Sequence, residues 1–270
     1  MLQRLLVRIK KSISFPASKR HYCSSKQIIL VFAGYFLISI FISPLLLVIS
    51  WPLINALFSQ YDNSLLLKLS YFQAIHTLCL LLFILCLFSS PMRSKIKSIY
   101  NSSRLSPLHA FLLGVGNWFF AFPCVWILCQ ILSFIHTGIF GAVRSEQSAI
   151  RIVKIMATHP VSFIFGIFNV IFMAPYIEEV FFRGFMHDFL RPKLGIPYTI
   201  LVSSIIFSLM HFSREQRSSN FVLLPCLFFF SLFLGRIYEK KRCIWSSIGL
   251  HAAFNSFSAC LLYTSPSPRD

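Results

Sequence analysis

Charge is what this sequence has least of. Charged residues make up 12% of the chain and hydrophobic ones 56%, with a mean hydropathy of +0.73, whereas a soluble domain carries about 25% charged residues. A soluble globular fold is excluded on that ground. Acids are scarcer still, 8 against 25 Lys and Arg, for a net charge of +17 and a pI near 9.9. Such a balance also suits nucleic-acid binding, but no basic stripe lies on a soluble module. The cations gather between apolar runs, where they meet anionic lipid head groups and set orientation. The expected surroundings are therefore a lipid bilayer, with no nucleic-acid partner. The eight cysteines (23, 79, 86, 124, 129, 226, 243 and 260) form no CxxC and no zinc-ribbon spacing. Most lie in apolar runs and read as small hydrophobes. HExxH, internal repeats and low-complexity tracts are absent as well.

What is present is a series of apolar runs about 20 residues long, each sufficient to cross a hydrocarbon core. They fall near 28–50, 70–91, 108–135, 160–190, 195–213, 220–238 and 244–262, with 51–69 as an interfacial or re-entrant piece. The first is too long for the apolar core of a cleavable signal peptide. The expected fold class is all-α, a polytopic transmembrane helical bundle of about seven to eight helices. Residues 1–27 form a basic arm with seven Lys or Arg and no acid, expected on the cytoplasmic side. Helices over 28–159 have no assignable role, residues 160–262 carry the chemistry, and 263–270 read as a disordered tail or as residues foreign to the natural chain. Arg93, Lys95, Lys97 and Arg104 in 92–107, Arg191 and Lys193 in 191–195, and Arg236, Lys240, Lys241 and Arg242 in 236–243 mark cytoplasmic connections. An extra span in 51–69 or 136–158 would invert everything after it. The expected location is an integral multi-pass protein of the bacterial plasma membrane.

Two of the few acids are adjacent. Glu178 and Glu179 follow an uncharged stretch, 161–177, and a charged carboxylate so placed costs about 2.5 kcal/mol or more unless paired or watered. Arg183, four residues on, shares a helical face with Glu179 and suits an ion pair. Glu178, rotated by about 100° around the helix, is left to face a cavity. His211 and His251 occupy later apolar runs, and Asn255 follows His251 by one helical turn. Taken singly, each imidazole reads as a satisfied core histidine and Asn255 as a helix–helix tie. Depth changes that. At 1.5 Å per residue, Glu178 stands about 18 Å from Leu190, His211 about 24 Å from Gly195, and His251 and Asn255 about 12 and 18 Å from Cys243. All four reach the middle of a core roughly 30 Å thick. Phe207, four residues before His211, is placed to wall the site. Trp245 reads as an interfacial anchor, Asp188 and Arg191 as solvated turn residues, and His21, His76, His109, His136, His159 and His187 as bystanders.

At these residues the chain resembles the CPBP family of CAAX proteases and bacteriocin-processing enzymes, which includes the type II CAAX prenyl endopeptidases. That family is recognised by EExxxR, FxxxH and HxxxN/B on successive transmembrane helices. Here the three stand as Glu178-Glu179-x-x-x-Arg183, Phe207-x-x-x-His211 and His251-x-x-x-Asn255, and the resemblance covers about 160–262. It implies an intramembrane endopeptidase whose partner is a peptide or protein substrate, prenylated or membrane-anchored. The expected roles are Glu178 as general base with His211 holding the same water, His251 and Asn255 as oxyanion donors, and Glu179 and Arg183 as orienting groups. A zinc ion (Zn2+) on Glu178, His211 and His251 is the alternative version, since two His and a Glu with one open position suit catalytic zinc. Two other readings use the same residues: a proton-coupled transporter with a Glu/His relay, and a non-catalytic family member serving as a scaffold or bacteriocin immunity factor.

Overall fold

A computed structural model of the chain describes residues 23–57, 64–89, 93, 105–141 and 160–264, and every regular element among them is helical. Helix α1 (Ser25–Leu57) starts where Ser24 and Gln27 form a reciprocal capping box, Gln27 N–H donating to Ser24 Oγ at 3.3 Å and Ser24 N–H to Gln27 Oε1 at 2.9 Å. A π-type segment, Ile38–Ile42, interrupts it. Helix α2 covers Ser64–Ser89. Helix α3 (Pro107–Phe140) opens on a Ser106 cap with proline in its first turn and closes at Gly141, φ 80.

From Pro160 the chain stays helical to Leu209 with one break. Gly195 takes φ 72 and ψ 172, a conformation essentially reserved for glycine, and Pro197 lies in the first turn beyond it. We term the part before the break α4 (160–194) and the part after it α5 (196–209). Helix α4 contains two π-type segments, Asn169–Met173 and Val180–His187, flanking Ala174–Glu179. A 3-10 turn, Arg214–Ser219, leads to α6 (Asn220–Lys241), and α7 covers Ile244–Thr264.

Five helical stretches among the described residues are long and apolar enough to span a membrane: Ser25–Leu57, Leu67–Leu87, Pro107–Phe140, Ser162–Leu209 and Arg214–Lys241. The expected seven to eight are not confirmed by these five, for physical reasons. The runs 160–190 and 195–213 fall in one 48-residue stretch. Helix α7 carries Ser246, Ser247, His251, Asn255, Ser256 and Ser258, and is too polar to be counted. The piece at 51–69 is not a separate element where described, since 51–57 extend α1 and 64–69 begin α2. The expected arm lies mostly outside the described residues, as do 265–270 of the expected tail, and α7 runs on through Thr264.

The tightest crossing sets the height of α7. A Cβ on Gly114 of α3 would collide with Ser246 O, and one on Gly249 of α7 with Phe111 O, so the two backbones touch as small residues allow between membrane helices. Gly249→Ala is therefore expected to destabilise by about 1–3 kcal/mol or more, because backbone rather than a side-chain tip must give way. Thermal unfolding in detergent measures it; an unchanged Tm would contradict the packing. Cys129 of α3 and Cys226 of α6 meet as a disulfide pair, Cα atoms 5.9 Å apart, a pairing that spacing did not suggest.

Candidate active site

The structure brings Glu178, Glu179, Arg183, His211 and His251 together from α4, the end of α5 and α7. The adjacent glutamates part company as the helical rotation requires. Glu179 is fully buried, with Oε2 3.3 Å from Arg183 Nε and Oε1 3.0 Å from His251 Nδ1. Arg183, equally buried, donates through Nη2 to Ser231 Oγ at 2.7 Å and to Ser231 O at 3.2 Å, and lies 4.8 Å over the Phe207 ring. Glu178 is 23% exposed, and its Oε2 stands 3.9 Å from His211 Nε2 and 3.9 Å from His251 Nε2.

Second partners orient both imidazoles. His211 Nδ1–H donates to Phe207 O at 2.8 Å, a carbonyl that can only accept. His251 Nδ1–H donates to the carboxylate of Glu179, which Arg183 neutralises. In each neutral ring the acceptor nitrogen is thus Nε2, turned toward Glu178. Phe207, wholly buried, fills the space between the rings, its centroid 4.8 Å from His211 and 6.0 Å from His251. Glu178 Oε2 is shielded from solvent and makes no hydrogen bond within the protein.

Asn255 is placed differently from expectation. Its Nδ2–H donates to Val170 O at 2.9 Å instead of joining His251 at Glu178. The cause is local: in the π-type segment Ala174 N–H bonds Asn169 O, and Pro175 has no N–H to offer, so the Val170 carbonyl lacks a helical donor. Asn255 supplies one and ties α7 to α4. A π-type segment also begins directly after Glu179, and such segments recur at functional sites because they re-aim side chains.

A zinc ion needs a tighter cage than these donors form. Two N···O separations of 3.9 Å exceed the edge of about 3.3 Å that a tetrahedral cage with bonds of about 2.0–2.1 Å requires. No group of three His, Cys, Asp or Glu among the described residues is arranged to hold a metal ion. Glu178, His211 and His251 as placed do not fit one.

Residues 160–257 match the family model described as type II CAAX prenyl endopeptidase Rce1-like. This segment is similar to the CAAX-protease family. No curated protein and no solved structure matches the chain. The matched segment, 160–257, contains every residue of the site. Helices α1 to α3 precede it, and α1 lays Tyr35 against Phe181, ring centroids 4.6 Å apart, and Phe32 against Phe182 at 6.3 Å.

One part of the core departs from the sequence expectation. His187, expected as a bystander, is fully buried, and Asp188, expected as a solvated turn residue beside Arg191, is 1% exposed. His187 Nε2 is 2.9 Å from Glu239 Oε1, Arg191 Nε 2.8 Å from the same oxygen, and Arg242 Nη1 2.6 Å from Oε2. Glu179, Arg183 and His187 thus recur every four residues along α4, facing Ser231 and Glu239 on α6. That four-residue step, and a lone acid among the cations of 236–243 at Glu239, were the available signals. His76 is bonded to Ser43 Oγ at 3.3 Å and His109 to its own cap, Ser106 Oγ, at 3.0 Å, as bystanders should be; His21 and His159 lie outside the described residues.

Proposed function

We propose that this protein is an intramembrane endopeptidase that hydrolyses a peptide bond of a membrane-associated or prenylated peptide with a water activated by Glu178. One observation carries the reading: a shielded carboxylate oxygen without a hydrogen-bond partner stands 3.9 Å from the Nε2 atoms of two imidazoles. Those gaps are too long for direct hydrogen bonds and suit one bridging water.

Three acceptors around a water with two protons require one further proton in the cluster. We place it on His251 Nε2, between Glu178 and Glu179, where the ring then donates to the developing oxyanion. Glu178 takes a proton from the attacking water as its oxygen bonds the scissile carbonyl carbon, and His211 Nε2 holds the water's second proton. The proton on Glu178 passes to the leaving nitrogen as the C–N bond breaks, which leaves a free amine and a new carboxylic acid whose proton His211 Nε2 then accepts. Glu179 and Arg183 hold His251 in place, and Asn255 ties α7 to α4 while keeping a second N–H for the substrate.

The test is cleavage of membrane-anchored peptides, with and without a prenyl group, by the full chain in proteoliposomes. Wild type is expected to cut, and His211→Ala to lose about 10²–10³-fold in kcat. Chelators are expected to leave the rate unchanged, with no stoichiometric metal in the purified protein. Cleavage by His211→Ala at the wild-type rate would sink the assignment; loss on chelation with restoration by zinc would replace the metal-free version.

A further inference from the structure

Among the site residues, His211 alone is not carried by a helix. Helix α5 ends at Leu209 and His211 lies in the turn beyond Met210. A group so placed keeps its aim only if the backbone is tied on both sides of it. On the near side the ties are helical: Met210 N–H donates to Ile206 O at 3.0 Å, His211 N–H to Ser208 O at 3.0 Å and Phe212 N–H to Leu209 O at 3.1 Å. On the far side the chain runs out through Phe212, 56% exposed, into the turn Arg214–Ser219, where Arg214, Glu215 and Arg217 are exposed.

One buried side chain closes that stretch. Asn220, the first residue of α6 and 8% exposed, reaches back across it. Its Nδ2 donates to Ser213 O at 2.7 Å and to Arg217 O at 3.0 Å, and its Oδ1 accepts from Ser213 N–H at 3.4 Å. Both donors and one acceptor position of a single carboxamide are thereby spent on the backbone of the connection. Arg217 sits at φ 44, ψ −125, close to the first central residue of a type II′ turn, a place that favours glycine. A non-glycine residue persists there only where its surroundings over-determine it, and Arg217 O is one of the atoms Asn220 holds.

We propose that Asn220 is a positioning residue for His211: by clamping Ser213 and Arg217 it makes the α5–α6 connection rigid and keeps His211 Nε2 aimed at Glu178. The proposal rests on the hydrolytic reading of the site. It accounts for an otherwise unexplained buried amide two residues upstream of Val222, in a helix whose remaining early positions are apolar.

The experiment compares kcat, KM and Tm for wild type, His211→Ala, Asn220→Ala, Asn220→Asp, Arg217→Gly and the Asn220→Ala/Arg217→Gly double variant, all as full chains in proteoliposomes. Asn220→Ala is expected to lose about 10–100-fold in kcat, the scale of a misplacement near 1 Å, with KM within about twofold and Tm nearly unchanged. Asn220→Asp, which keeps the shape but not the two donated bonds, should behave alike and carries the test if the alanine variant does not fold. Arg217→Gly alone should cleave like wild type. In the double variant it should restore most of the lost kcat, because glycine holds the turn without the clamp. Wild-type kcat in both Asn220 variants, a loss confined to KM and Tm, or no rescue by glycine would overturn the proposal. Wild-type cleavage by His211→Ala would instead remove the hydrolytic reading beneath it, so the two failures are told apart.

Discussion

Arg183→Ala is expected to cost about 3–5 kcal/mol of stability, the scale seen when one partner of a buried ion pair is removed. Arg183 and Glu179 are both fully buried, with Arg183 Nε 3.3 Å from Glu179 Oε2. Truncation leaves a carboxylate in the bundle interior beside His251 and strips Ser231 of the guanidinium it accepts from. It also removes the cation stacked 4.8 Å over Phe207, the ring that separates the two imidazoles. Neutralising both partners separates charge from chemistry. Glu179→Gln/Arg183→Met should recover much of the lost stability, since no bare charge stays buried. It should not recover cleavage, because a neutral carboxamide in place of the Glu179 carboxylate no longer holds His251 as an anion does. Thermal unfolding in detergent, paired with the proteoliposome assay, checks both halves; an Arg183→Ala protein as stable as wild type would contradict the buried pair.

The site was legible because charge inside an apolar run is costly and therefore informative. Glu178, His211 and His251, counted in from the expected cytoplasmic ends, arrived at one level, and the structure sets Glu178 Oε2 3.9 Å from both rings. Asn255 came to the same level, yet its amide goes to Val170 O. Nothing in a one-dimensional spacing reveals that a π-type turn and Pro175 leave that carbonyl without a donor. Asp188 and Arg191 escape the sequence for a related reason. A polar residue near a predicted turn looks solvated until another helix is known to lie against it, and here Glu239 of α6 pairs with Arg191 and with His187, the neighbour of Asp188. Hydropathy and function conflict in α7, whose serines, His251 and Asn255 lower its apolar character and leave it outside the five apolar stretches. Of the segment before the core, the sequence offered no role. The Gly114–Gly249 crossing and the Tyr35–Phe181 contact supply one, bracing α7 and walling α4.

Glu178→Gln should be the most damaging change to chemistry with the least effect on the fold. The substitution keeps shape and removes charge, and the Oε2 it alters makes no hydrogen bond within the protein. Tm is therefore expected to stay close to wild type. The reaction loses its proton acceptor, a loss of about 10²–10⁴-fold in kcat, whereas KM should change little because uniform substrate binding is untouched. Glutamine also presents an N–H where the carboxylate would accept one, which should displace the water proposed between His211 and His251.

The most direct measurement is the rate of cleavage of one membrane-anchored peptide by wild type and by Glu178→Gln, reconstituted side by side at equal folded concentration. The account predicts a wild-type rate at least about a hundredfold higher with matching Tm values. Cleavage by Glu178→Gln within about tenfold of wild type would place the general base elsewhere and contradict it.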